Sequence, residues 1–202
     1  MGQWERNPIV PEDVDVKLKR AAHHEAGHIV VAAAQGLRLR PEGLSVDPSG
    51  EGLACYCKQP DGSDLLRERI SVATFAGFYA ERRFCEARSY PLPDAADWFR
   101  DSLDGREARK LISEMSVENL SERSVPVTQG KLQLQSQQLV EQHWPAIEAL
   151  ATALLARDWE PLRPLKSGGA WSKETTAKYV AGDEAVRILE RYGLPAVCDA
   201  DC

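Results

Sequence analysis

The stretch PEDVDVKLKRAAHHEAGHIVVAAAQ, residues 11–35, decides how this chain is read. Pro11 suits a first helical position, and Glu12, Asp13 and Asp15 complement the positive end of a helix dipole. Gly36 is a natural stop. Val14, Leu18, Ala21 and Ala22 recur at helical spacing, and the run from Ile29 to Ala34 carries no charge at all. The pattern predicts one long helix over 11–35 whose second half is buried.

Inside that helix lies His24-Glu25-Ala26-Gly27-His28, the His-Glu-x-x-His pattern. Positions i and i+4 of a helix project from one face, one turn apart. Two imidazoles so placed can hold one Zn²⁺. Glu25 can then reach a water on the ion without becoming a ligand, take its proton, and return it to a leaving amine. The chain has only four histidines, three of them at 23, 24 and 28. Burying them among apolar neighbours without a metal would leave polar groups unpaired. His23 is turned about 100° from His24 and reads as a neighbour of the site. Small Ala26 and Gly27 allow another element to approach closely.

The pattern outside this helix is short extended runs followed by more helices. Residues 44–46 and 52–58, joined by Asp47-Pro48-Ser49-Gly50, predict a β-hairpin over about 44–58, closed by Pro60-Asp61-Gly62. Residues 64–86 read as a second helix. Residues 95–115 are helical with a possible interruption at Gly105, and 116–130 form a polar connection. Residues 131–158 form a helical segment that Pro145 kinks or restarts. Pro161, Pro164, Gly168 and Gly169 mark a linker, and 175–192 read as a small terminal helix. The division is therefore a domain over 1–160 and a C-terminal extension over 161–202.

A catalytic zinc usually has three protein ligands and an open position. His143, in an amphipathic segment, is the remaining histidine and a weak candidate. The acidic group Asp94, Asp97, Asp101 and Asp104 is the better source, and on a continuous helix Asp97, Asp101 and Asp104 share a face.

The 202 residues carry 25 Lys and Arg against 31 Asp and Glu, a net charge of −6. That balance argues against a nucleic-acid partner, which usually meets a basic face. The longest apolar run falls far short of the ~20 residues of a membrane span, and the N-terminus has no apolar signal core. Five cysteines without an export signal suggest reduced thiols and a cytoplasmic protein.

Taken together, the blocks resemble the zinc peptidase domain of FtsH-type membrane AAA+ proteases. Ala22-His23-His24-Glu25-Ala26-Gly27-His28 is similar to that family's metal helix. Leu44-Ser45-Val46 and Gly52-Leu53-Ala54 are similar to its strand pair. Leu65-Leu66-Arg67-Glu68-Arg69-Ile70 through Ala76-Gly77-Phe78-Tyr79-Ala80-Glu81 is similar to its Ala-Gly-x-x-Ala-Glu helix. Ala95-Ala96-Asp97-Trp98 is similar to the segment bearing its third ligand. The resemblance implies a mainly α, zincin-like domain with a small β-hairpin after the metal helix. It implies Zn²⁺ on His24, His28 and Asp97, with Glu25 as general base. Residues around 101–105 lengthen the segment, so that the family's Ala-Arg pair, Ala108-Arg109, stands farther from Asp97. That leaves Asp101 as an alternative ligand. The implied activity is metallopeptidase cleavage of peptides or unfolded protein segments, independent of ATP because no ATPase or membrane segment is read in the chain. A separate ATPase or a homo-oligomer would be the partner beyond substrate. The alternative is a zinc-containing binding or regulatory module with weak or no catalysis.

Overall fold

A computed structural model describes residues 14–58, 63–92, 95–115, 125–162 and 175–200. The expected start at Pro11, the turn at 60–62, Asp94 and most of the linker lie outside the described residues. Helix α1 (Val14–Ala34) is buried from Ala22 to Ala33 except at His24. It ends at Gly36, whose φ of +73° suits a residue without a side chain. Helix α2 (Asp64–Ala87) is N-capped by Ser63, whose Oγ accepts from the Leu66 amide at 3.2 Å.

The contact between α1 and α2 is unusually close. A Cβ on Gly27 would lie 2.6 Å from Ala80 Cβ and 2.8 Å from the Ala76 carbonyl oxygen. Two helices at this separation need small residues on both sides, and Gly27, Ala76 and Ala80 supply them. Around this seam the core gathers Ile29, Val30, Ile70, Phe75, Ile147 and Leu150.

Strands β1 (Leu39–Val46) and β2 (Gly52–Tyr56) form the expected hairpin, with Leu44 opposite Ala54 and Val46 opposite Gly52. Asp47 fixes its turn, one carboxylate oxygen accepting from the Ser49 and Glu51 amides at 2.8 and 3.0 Å. With β3 (Glu160–Leu162) and β4 (Thr175–Val180) the strands make an antiparallel sheet of order β2-β1-β4-β3. β2 is therefore an edge strand, and it lies beside α1.

Three helical expectations change. Helix α5 (Val125–Gln142) begins inside the expected polar connection 116–130. Residues 175–192 are a strand followed by helix α7 (Gly182–Glu190). Thr175, Thr176, Tyr179 and Val180 are strand formers, and pairing with β1 and β3 settles their conformation. Val180, Ala185 and Leu189 join the same core as α1, so this part of the expected C-terminal extension is built into the domain. Residues 95–115 are two helices, α3 (Ala95–Asp101) and α4 (Leu103–Ser113), divided at Ser102. Pro145 restarts a helix as expected, ending the run of α5 (Val125–Gln142) and opening α6 (Trp144–Leu155).

Cys57 is disulfide-bonded, against the expectation of reduced thiols, while Cys55, Cys85 and Cys198 are outside any disulfide. The thiol argument for a reducing compartment therefore falls away. Among the described residues, no helix is long and apolar enough to cross a membrane.

The α1–α2 seam predicts that Gly27→Ala lowers stability by about 1–3 kcal/mol through overpacking. Alanine is elsewhere the better helix former by about 1 kcal/mol, so a stabilised variant in urea unfolding with chelator present would contradict the close packing described.

Candidate metal centre

Helix α1 presents His24 and His28 on one face, their ring centroids 4.8 Å apart and nearly perpendicular. Each imidazole is oriented through its Nδ1. That of His28 donates to the Ala73 carbonyl at 2.9 Å, and that of His24 donates to Glu81 Oε2 at 3.1 Å. Both partners belong to α2. With Nδ1 of each ring engaged by α2, Nε2 is the atom of each imidazole left to face a metal.

The third group comes from α4. Asp104 Oδ2 lies 3.1 Å from His24 Nε2 and 3.3 Å from His28 Nε2. These three ligand atoms all lie within 4.8 Å of one another. Gly77 of α2 faces the same point. A Cβ there would stand 2.4 Å from His28 Nε2 and 2.5 Å from His24 Nε2, so glycine keeps the space in front of both nitrogens open. Two imidazoles and a carboxylate around a cleared space form a donor set suited to Zn²⁺.

Glu81 is locked from behind by Arg20, whose Nε and Nη2 donate to Oε1 at 2.9 and 2.6 Å. Burial raises the Glu81 carboxyl, but hydrogen bonds from His24 and Arg20 outweigh this and bring it down to about 2. Burial also opposes charge on His24, yet Asp104 and Glu81 together hold it protonated well above its usual value. Asp104 is partly buried, and the two histidines pull its carboxyl well below the ordinary range. His24 Nε2 faces Asp104 as a hydrogen-bond partner, and a divalent cation between them would take the place of that proton.

Glu25 is buried, at 7% exposure, and burial pushes its carboxyl upward against the lowering pull of His24 and His28. It faces β2, since a Cβ on Gly52 would lie 2.4 Å from Glu25 Oε1. His23 faces elsewhere, its Nδ1 donating to the Lys19 carbonyl at 2.7 Å and its ring stacked on Phe84 at 4.2 Å. His143 sits at the N-cap of α6, outside the group. A larger cavity of about 880 Å³ opens against His23 and contains none of the group.

The structure does not bring Asp97 or Asp101 to the histidines. Their side chains are 63% and 64% exposed and both pair with Arg100. The reason is the break at Ser102. Its Oγ accepts from the Gly105 amide at 2.9 Å and starts a new helix, so Asp97 and Asp104 no longer share one helical face. The corner is tight, because a Cβ on Gly105 would meet the Phe99 carbonyl oxygen at 2.5 Å. Arg109 bridges it, donating to the carbonyls of Phe99 and Arg100.

Asp104 belonged to the acidic group singled out in the sequence, and two signals favoured it over Asp97. Ser102 is a good N-cap residue, and Asp104 stands only four positions before Ala108-Arg109. Glu81 and Gly77 were visible only as parts of a block, without roles. No protein-family model matches the chain, and no curated protein matches it.

Asp104→Asn is expected to weaken zinc binding by at least about tenfold, with Asp97→Asn and Asp101→Asn unchanged, in competition with a chromophoric chelator. A loss confined to Asp97→Asn would contradict this ligand set. In the same assay Glu81→Gln, which weakens the support behind His24 and its pairing with Arg20, is expected to lose about 10–100-fold. Parent-like affinity there would deny Glu81 its orienting role.

Proposed function

We infer that this chain is a zinc-dependent peptidase with a zincin-like site, similar to the peptidase domain of FtsH-type proteases. His24, His28 and Asp104 are its metal ligands and Glu25 its general base. The observation that carries this reading is the position of Glu25. It is buried on the helix that bears both histidines and faces the first residue of the edge strand β2.

A zinc ion held by the three ligands would supply a Lewis acid, lowering the pKa of water to about 7 and polarising a carbonyl. The protein's own part is to place and move a proton. Burial raises Glu25 toward the range in which a carboxylate both accepts and returns one. Arg20, Glu81 and the Ala73 carbonyl fix the orientation of the two imidazoles. The edge of β2 that no other strand pairs among the described residues offers main-chain donors and acceptors to an extended peptide, whose carbonyls would pass Glu25. This favours peptides and unfolded segments as substrates.

Glu25→Gln is expected to retain one zinc per chain and to lose casein cleavage by roughly 10²–10⁴-fold, the usual contribution of a general base. Zinc-loaded parent protein that cleaves neither casein nor a peptide panel would overturn the reading in favour of a zinc-containing binding module.

A further inference from the structure

Beside the metal centre lies a cleft of about 260 Å³ whose walls include Lys17, Arg20, His24, Glu25, Gly50 and Glu81. Arg20 and Glu81 are paired with each other. Glu25 is buried and faces Gly52 of β2. Lys17 is exposed and makes no ion pair among the described residues.

Lys17 is also held in place. A Cβ on Gly50 would touch its Cγ, Cδ and Cε at 2.8–3.1 Å, so its stem lies across the β1–β2 turn. Gly50 has φ +79°, a backbone that leaves this surface bare for the stem. Lys17, Ala21, His24 and His28 follow the spacing of one helical face. The seven residues from Lys17 to His24 are two turns, about 10.5 Å along the axis. An extended peptide covers that distance in about three residues.

We propose that Lys17 is a specificity-determining residue that receives a carboxylate of the substrate, an acidic side chain or a peptide C-terminus, about three residues from the scissile bond on the Gly50 side. The inference rests on the peptidase reading for the word substrate, but the preference itself is a property of binding. A neutral residue at 17 removes it, and an acidic one reverses it.

The test uses full-length Glu25→Gln protein loaded with zinc, so that peptides are bound without a need for turnover. The probes are three fluorescein-labelled ten-residue peptides, identical except for Glu, Gln or Lys at every third position. Fluorescence anisotropy is expected to show the Glu peptide binding about fivefold tighter than the Gln peptide at low salt, the scale of an exposed ion pair. The ratio falls toward one in Lys17→Gln and turns to favour the Lys peptide in Lys17→Glu. Raising the salt shrinks the preference. Equal binding of Glu and Gln peptides by the parent, or a preference untouched by both Lys17 variants, overturns the proposal. Casein cleavage by protein with Glu25 intact is scored separately. Its absence beside an intact acidic preference removes the peptidase reading and leaves Lys17 as a carboxylate-binding residue.

Discussion

The close approach of α1 to α2 is the constraint on which the rest of the molecule depends. Gly27 meets Ala76 and Ala80 with no room for another methyl group. That separation brings the Ala73 carbonyl and the Glu81 carboxylate within hydrogen-bond range of His28 and His24. It also brings Gly77 up to both Nε2 atoms, where any side chain would fill the space. Core packing and site chemistry are therefore the same fact. A substitution that pushes the helices apart would loosen both imidazoles before it unfolded the protein.

The electrostatics follow from that geometry. Arg20, Glu81 and His24 form a chain of charge-assisted hydrogen bonds running from the cleft to the ligand position. Asp104 completes the group from the far side, delivered by a helix that starts only because Ser102 caps it. The hydrogen bond between Asp104 and His24 and its proximity to His28 give a partly buried carboxylate two imidazole neighbours. Buried charge of this kind is costly unless paired. Lys58, close by, is tied to Glu107 at 3.0 Å and stands over the Tyr56 ring, and its charge also acts on Glu25 and Asp104.

The metal helix was legible because its chemistry is local. His24, Glu25 and His28 are set by four residues of spacing on one helix, and the apolar run after them announced burial. The hairpin and α2 were legible for the same reason, from turn residues and periodicity. Asp104 was harder to single out. Reading 95–115 as continuous placed three aspartates on one face, and the break at Ser102 depends on a corner fixed by Gly105 and Arg109 through tertiary contacts. β4 was missed because Thr175 to Val180 becomes a strand only by pairing with β1 and β3, which are distant in sequence. In both cases contacts outside the segment decided between two locally acceptable structures.

The central claim is that His24, His28 and Asp104 hold one zinc ion while leaving a position open. X-ray absorption at the zinc edge of the loaded protein tests it most directly. The account predicts one zinc per chain, two imidazole nitrogens and carboxylate and water oxygens at about 2.0–2.2 Å, with no sulfur. A protein that retains no zinc, a sulfur shell at about 2.3 Å, or four protein ligands closing the coordination would contradict it.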